Sequence, residues 1–200
     1  MQTVLIGLAA YLLGSISFAV VVSRLMGLPD PRSFGSKNPG ATNVLRTGDK
    51  LAAALTLIGD TGKGALAVLL AAFYTGEPAA GADPATAGAL ALLGHVYPVF
   101  HRFQGGKGVA TAAGVLLAIH PLLGAGTLAT FGIILAFFRM VSLASVIAAL
   151  FAVFWAWFLF GMAAVTPVVG AIALLVVWRH QANIRRILSG AEPRLGERKP

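Results

Sequence analysis

The sequence predicts an all-α, polytopic integral membrane protein with about seven transmembrane helices, its N-terminus outside and its C-terminus cytoplasmic. Composition, the length of the apolar stretches and the placement of the bases predict this. Hydrophobic residues make up 58% of the chain and charged residues 11%, whereas about a quarter of a soluble domain is charged. Apolar stretches cover residues 3–23, 51–74, 85–100, 108–138 and 141–178, separated by short polar clusters. About 20 apolar residues carry a helix across the hydrocarbon, where the helix satisfies its own backbone hydrogen bonds.

The first stretch, from Met1 to Ser23, lacks a basic leader and reads as a retained span, not a cleaved signal. Arg24, Arg32, Lys37, Arg46 and Lys50 follow it. Cationic loops stay in the cytoplasm, so residues 30–50 are expected inside. The next connection, Gly76 to Pro84, carries Glu77 and Asp83 without a base and is expected outside. Arg102 and Lys107 return the chain to the inside. Residues 108–138 are too long for one ordinary span and short of the roughly 40 that two full spans use. Two short passes turning near His120-Pro121 or Gly124 keep Arg139 inside. Gly161 to Pro167 then forms the last outer turn, and Arg179, Arg185, Arg186, Arg194, Arg198 and Lys199 mark a cytoplasmic tail. The net charge of +8 is thus a topological signal, and no nucleic-acid partner is expected. One domain, residues 1–200, carries motif loops at about 30–50, 101–111, 139–145 and 179–192. Cysteine is absent, which excludes disulfides and thiolate chemistry.

The inner loops hold the candidate chemistry. In residues 30–50, Gly35, Pro39 and Gly40 permit tight turns that present N–H groups to an anion. Ser36, Asn38, Thr42 and Asn43 add donors, and Lys37 and Arg46 add charge. Composition alone leaves open a phosphate cradle or a basic loop that only anchors topology. A second cradle is HRFQGGKGVAT, where Gly105, Gly106 and Gly108 flank Lys107 before an apolar run. A helix N-terminus and a cation could face one anion there, or the run could be a flexible basic turn. It is not a Walker A motif: His101 and Gly108 stand where glycine and serine or threonine are needed. Further candidates lie in RMVSLAS (139–145), with Ser142, and in RHQANIRRILSGAE (179–192). On a helix continuing past the membrane, His180 and Asn183 share a face; His180 could bind phosphate, accept a proton or serve as an interfacial residue. Asp60 and Lys63 sit one turn apart, roughly 15 Å below the inner surface at about 1.5 Å per residue, and their spacing favours a structural ion pair lining a wet pocket. His95 reads equally as a site residue or a packing hydrogen bonder.

These runs carry a resemblance. GSISF (14–18), GSKNPGATNVLR (35–46), DTGKG (60–64), GHVYPVFHRFQGGKGVAT (94–111), VSLAS (141–145) and RHQANIRRILSGAE resemble, in order and over nearly the whole chain, the bacterial acyl-phosphate:glycerol-3-phosphate acyltransferase family, PlsY. Ser17 stands where that family often has proline, Tyr97 where phenylalanine is common, Gln104 where lysine is frequent and Ala191 where threonine is usual. The resemblance implies a seven-helix enzyme of the bacterial plasma (inner) membrane with its active site at the cytoplasmic face. It would transfer a fatty acyl group from acyl phosphate to the 1-hydroxyl of sn-glycerol 3-phosphate, giving 1-acyl-glycerol 3-phosphate and inorganic phosphate in phospholipid synthesis. It implies no cofactor and no metal, contact with membrane lipids, and a functional link to the enzyme that makes acyl phosphate.

Acyl phosphate is already activated, so positioning and charge stabilisation are the main tasks. Ser36, Lys107 and His180 are the expected catalytic residues. Ser36, Asn38, Thr42 and Asn43, with loop N–H groups such as that of Gly40, and Lys107 with Gly105, Gly106 and Gly108, are expected to bind phosphate and oxyanion. Arg46, His180 and Asn183 are expected to bind glycerol 3-phosphate, with Ser142 as a further contact. The base is His180 or a donor phosphate oxygen, since no carboxylate is evident near the loops. An acyl-enzyme through Ser36 or Ser142 is less favoured, lacking a base beside either. The rival class is a transporter or channel for a phosphorylated organic anion, which would place its polar groups near the midplane.

Overall fold

The computed structural model describes residues 2–196; Met1 and the tail bases Arg198 and Lys199 lie outside the described residues. Those residues form helices and turns, with no strand among them. In order these are α1 (Gln2–Gly14), α2 (Phe18–Leu25), α3 (Ala41–Val44), α4 (Lys50–Thr75), α5 (Ala82–Val96), α6 (Val109–Ile119), α7 (Pro121–Phe138), α8 (Val141–Phe160), α9 (Val165–Arg179) and α10 (Gln181–Leu188).

Local chemistry fixes the ends. The Asp49 carboxylate caps α4 by accepting from the Ala52 N–H at 2.8 Å, and left-handed Gly76 closes it. At the α6–α7 break, His120 Nδ1 accepts from the Leu122 N–H and Pro121 takes the first helical position; the chain turns at the expected His120-Pro121. α8 and α9 are likewise separate, joined across residues 161–164. The first apolar stretch differs from expectation, because it breaks between Gly14 and Phe18 and bends by 42°. The backbone there is held from a distance: Lys63 Nζ donates to the Ile16 carbonyl at 2.5 Å.

α4, α7 and α8 are each long and apolar enough to cross a membrane, and α1–α2 and α9–α10 meet the same test as bent pairs. α5 and α6, with 15 and 11 residues, reach only about 22 and 16 Å at 1.5 Å per residue. Helices pack as α1 on α5, α4 on α5 and α6, α7 on α6 and α8, and α9 on α5 and α8. The closest approaches use glycine: a Cβ on Gly94 would overlap the Tyr11 carbonyl of α1, and one on Gly114 the Thr61 carbonyl of α4. Val68, Leu92, Val96, Val115, Leu123, Val165 and Val169 fill the interior. Leu5, Ile58, Phe73, Ile133, Phe137, Phe158 and Leu174 point outward, an apolar exterior suited to lipid.

Two ends result. Gln2 and Thr3 bond to Tyr74 and Asp83 at one end. Tyr11 reaches the Tyr97 carbonyl at the other, where the chain segments before α4 and after α5, α7 and α9 also gather. α4 runs beyond its neighbours there, packing its first turns on α2 and α3. Asp60 and Lys63 lie level with Ile16 and His95, and His95 packs against Gly106 of the 101–108 loop.

Candidate active site

The first loop is built around Asn43. Both amide protons of this buried side chain donate to loop carbonyls, Pro31 at 2.7 Å and Phe34 at 3.2 Å, and its Oδ1 accepts from the Ser36 N–H at 3.0 Å. Asn43, expected to donate to phosphate, thus has its donors engaged in shaping the loop. Ser36, Lys37, Thr42 and Arg46 are exposed around it, with Asn38 and Gly40 half-buried. Arg32 forks onto Asp30 at 2.6 Å.

The second loop is clamped from α9. Arg179 Nε donates to the Gly106 carbonyl and Nη2 to that of Gly105, each at 3.2 Å, while its guanidinium lies 5.8 Å from the Tyr97 ring centroid. With both carbonyls turned to Arg179 and the Gly106 N–H donating to the His95 carbonyl, the N–H groups of Gly105, Lys107 and Gly108 are the ones the loop can turn to an anion. Gly108, at φ 83°, starts α6, so the free N–H groups of that helix follow Lys107 directly.

A hydrogen-bonded chain then joins loops two, three and four. Lys107 Nζ donates to Asn183 Oδ1 at 2.7 Å. Asn183 Nδ2 donates to Glu192 Oε1 at 2.6 Å, as does the Ser142 hydroxyl at 2.6 Å. Arg186 Nε donates to Glu192 Oε2 at 2.7 Å. The amide orientation of Asn183 is dictated by its neighbours, because an ammonium can only donate and a carboxylate only accept. Glu192 is the carboxylate the sequence reading did not find. Burial would raise its pKa, but the bonds from Ser142, Asn183 and Arg186 outweigh that and hold it below the usual range.

Burial pushes Lys107 down to about 8; Glu192 opposes this, and the charges of Arg186, Arg179 and Arg46 add to it. Arg46 from the first loop therefore belongs to the same electrostatic cluster. His180 sits at the junction of α9 and α10, where the chain bends by 60°; the helix expected to continue past the membrane is broken at His180, whose carbonyl accepts from the Ile184 N–H in the first turn of α10. His180 Nδ1 lies 2.8 Å from the Val176 carbonyl. A carbonyl only accepts, so Nδ1 carries the proton and Nε2 the lone pair. Burial, reinforced by the Lys107 charge and opposed by the Val176 bond, pushes this imidazole down to about 4.

A cavity of about 330 Å³ opens between the first two loops, lined by Arg32, Lys37, Pro39, Phe103, Gln104, Gly105 and Arg179. Of the expected residues, Lys107, Ser142 and Asn183 are bonded into one chain, the Arg46 charge acts on Lys107 and the Lys107 charge on His180, and Gly105 lines the cavity. Among the described residues no hydrogen bond ties Ser36, Asn38 or Thr42 to that chain. Glu192, Arg186, Arg179 and Arg32 are additions. The signal for the first three was a cluster of arginines and one glutamate in RHQANIRRILSGAE, readable only once the partners on other loops were known; Arg32 stands apart, in the first loop.

Residues 4–190 match the glycerol-3-phosphate acyltransferase family. Proteins so named from Cupriavidus necator and Burkholderia orbicola are 58% and 57% identical, over all of this chain and 99% and 96% of theirs. The fold is similar to crystal structures of PlsY (YgiH), an integral membrane glycerol 3-phosphate acyltransferase. Its glycerol 3-phosphate form has a TM-score of 0.91 at 37% identity, covering 98% of this chain and 96% of that one; its lysophosphatidic acid form has a TM-score of 0.90 at 36% identity. The chain is an enzyme of the membrane and belongs to the glycerol-3-phosphate acyltransferase family.

Proposed function

We propose that this acyltransferase takes its acyl group from acyl phosphate and transfers it to the 1-hydroxyl of glycerol 3-phosphate, releasing inorganic phosphate and lysophosphatidic acid at the cytoplasmic face of the bacterial inner membrane. One observation carries the reading: the chain Lys107–Asn183–Glu192–Ser142, ringed by Arg46, Arg179 and Arg186, gathers three loops into a cationic site at one end of the helices. Two phosphate-bearing substrates need such a site. A transporter would hold its polar groups nearer the middle of the helices.

In this reading α1, α4, α5, α6, α7, α8 and α9 make seven crossings within one domain, with the N-terminus outside. Lys107 has two further N–H groups, and Asn183 one, to offer a phosphate. With Arg46 they bind glycerol 3-phosphate, while Ser36, Asn38, Gly40, Thr42 and the N–H groups of Gly105, Lys107 and Gly108 bind the donor phosphate and the oxyanion; the Gly106 N–H is held by the His95 carbonyl. Lys107 lies where both substrates meet. His180, neutral at pH 7, orients the acceptor hydroxyl through Nε2. Its low proton affinity makes it a weak base, so the proton passes to a phosphate oxygen of the donor. The glycerol oxygen bonds to the acyl carbon, the bond from that carbon to the phosphate oxygen breaks, and phosphate leaves with the electron pair. In this reading the site uses no coenzyme A, and an enzyme that makes acyl phosphate supplies the donor.

Purified protein in detergent, given palmitoyl phosphate and glycerol 3-phosphate without coenzyme A, is expected to release phosphate and lysophosphatidate in equal amounts, and a folded Lys107→Ala variant to lose both. Well-folded wild-type protein that makes neither product across several chain lengths would sink the reading.

A further inference from the structure

Beneath the Gly105–Lys107 loop lies a buried polar cluster to which the mechanism above gives no role. Asp60 of α4 pairs with Lys63 at 2.8 Å and faces His95 Nδ1 of α5 at 3.5 Å, all three side chains being 6% exposed or less. Among the described residues neither Asp60 Oδ1 nor His95 Nδ1 makes a hydrogen bond elsewhere, and Lys63 continues to Ile16 at the α1–α2 break. Three buried ionisable groups at a helix junction are costly. The opposite edge of His95 shows what they support. A Cβ on Gly106 would overlap His95 Nε2 and press on the Pro39 carbonyl of the first loop. The Gly106 N–H donates to the His95 carbonyl at 3.1 Å. Gly106 is therefore held between His95 below, Pro39 beside it and Arg179 on its carbonyl, and the next residue is Lys107.

We propose that Asp60 and His95 are positioning residues for acyl transfer: Asp60 fixes the His95 ring, and the Nε2 edge of that ring sets Gly106 and, through it, the ammonium of Lys107. Lys63 neutralises Asp60 and ties the pair to the α1–α2 break. The inference rests on the reading of Lys107 as a phosphate-binding group. It predicts a defect in substrate binding when the ring edge is removed, even where the Asp60 contact survives.

The test uses full-length protein checked for monodispersity and thermal midpoint, with glycerol 3-phosphate binding measured by calorimetry alongside acyl-transfer kinetics. His95→Asn keeps an amide at the Nδ1 position toward Asp60 and vacates the space at Gly106. It is expected to raise both Kd and KM for glycerol 3-phosphate about tenfold, with kcat within about threefold of wild type. Asp60→Asn shifts them in the same direction. Gly106→Ala, which forces the loop off the ring, also raises KM. The double variant His95→Asn/Gly106→Ala, whose new methyl fills the vacated space, recovers to within about threefold of wild type. Should His95→Asn not fold alone, the double variant measured against Gly106→Ala decides the matter. A folded His95→Asn with unchanged Kd and KM, or losses that multiply in the double variant, would overturn the inference while active wild type leaves the proposed function standing. Wild-type protein that neither binds glycerol 3-phosphate nor turns over would sink both.

Discussion

In the proposed mechanism Lys107 must carry its proton to hold a phosphate, and its surroundings make that proton easy to lose. Burial lowers it to about 8, three arginines push the same way and Glu192 resists. At pH 7 the free enzyme is mostly charged; as pH rises through about 8 the ammonium is lost. We expect kcat/KM, which reports the free enzyme, to fall about tenfold per pH unit above that point, whereas kcat holds to higher pH because bound phosphate retains the proton. Lys107→Arg stays charged throughout and should show no alkaline limb near 8, whatever its absolute rate. A pH–rate profile from about 6 to 10 checks both. Glu192 is the second residue-scale test. Its side chain is 7% exposed and, with Lys107, it dictates that Asn183 turns Oδ1 toward the ammonium and Nδ2 toward the carboxylate. Glu192→Gln removes charge-assisted bonds worth about 1.5–3 kcal/mol, so kcat/KM for glycerol 3-phosphate should drop roughly ten- to hundredfold; an unchanged value would mean that the Asn183 orientation does not matter to binding.

At the scale of elements, the first loop and the helix contacts make separable predictions. Asn43→Ala leaves the Pro31 carbonyl and the Ser36 N–H without their partner and the Phe34 carbonyl with the Lys37 N–H alone, while every long helix keeps its contacts. Activity should fall by more than about tenfold, with limited proteolysis within residues 30–46 accelerated and helix content by circular dichroism unchanged. Gly114→Ala drives a methyl into the Thr61 carbonyl where α6 crosses α4, whereas Gly132 has open space around it. The first should cost roughly 1–3 kcal/mol in thermal unfolding, and Gly132→Ala should be neutral or stabilising by up to about 1 kcal/mol. The α6–α7 break was readable because histidine followed by proline is a local helix-start signal. The α1–α2 break was not: Ser15-Ile16-Ser17 contains no proline, and the freed Ile16 carbonyl is satisfied by Lys63, 47 residues away. Spacing disclosed the Asp60–Lys63 pair, yet not the His95 that faces it, because only the packing of α4 on α5 brings that residue close.

For the whole molecule, charge placement made the site's end of the bundle legible, while its interior wiring stayed hidden because Glu192 meets Ser142 across 50 residues of sequence. The same charge placement implies an orientation that the absence of cysteine makes easy to test. Ala82 and Met162 are exposed at one end of the helices, and Ser33 and Ser189 are exposed at the other. Single cysteines at the first pair should react with a membrane-impermeant maleimide in intact cells, and those at the second pair only after lysis. This follows from the weakly charged connections at one end and the arginine-rich ones at the other. The proposed function calls for the same answer: a glycerol phosphate supplied from the cytoplasm is too polar to cross the bilayer, so under that proposal Lys107 and Asn183 face that side. Labelling of Ser33→Cys in intact cells would reverse the orientation and separate the cationic cluster from its substrate.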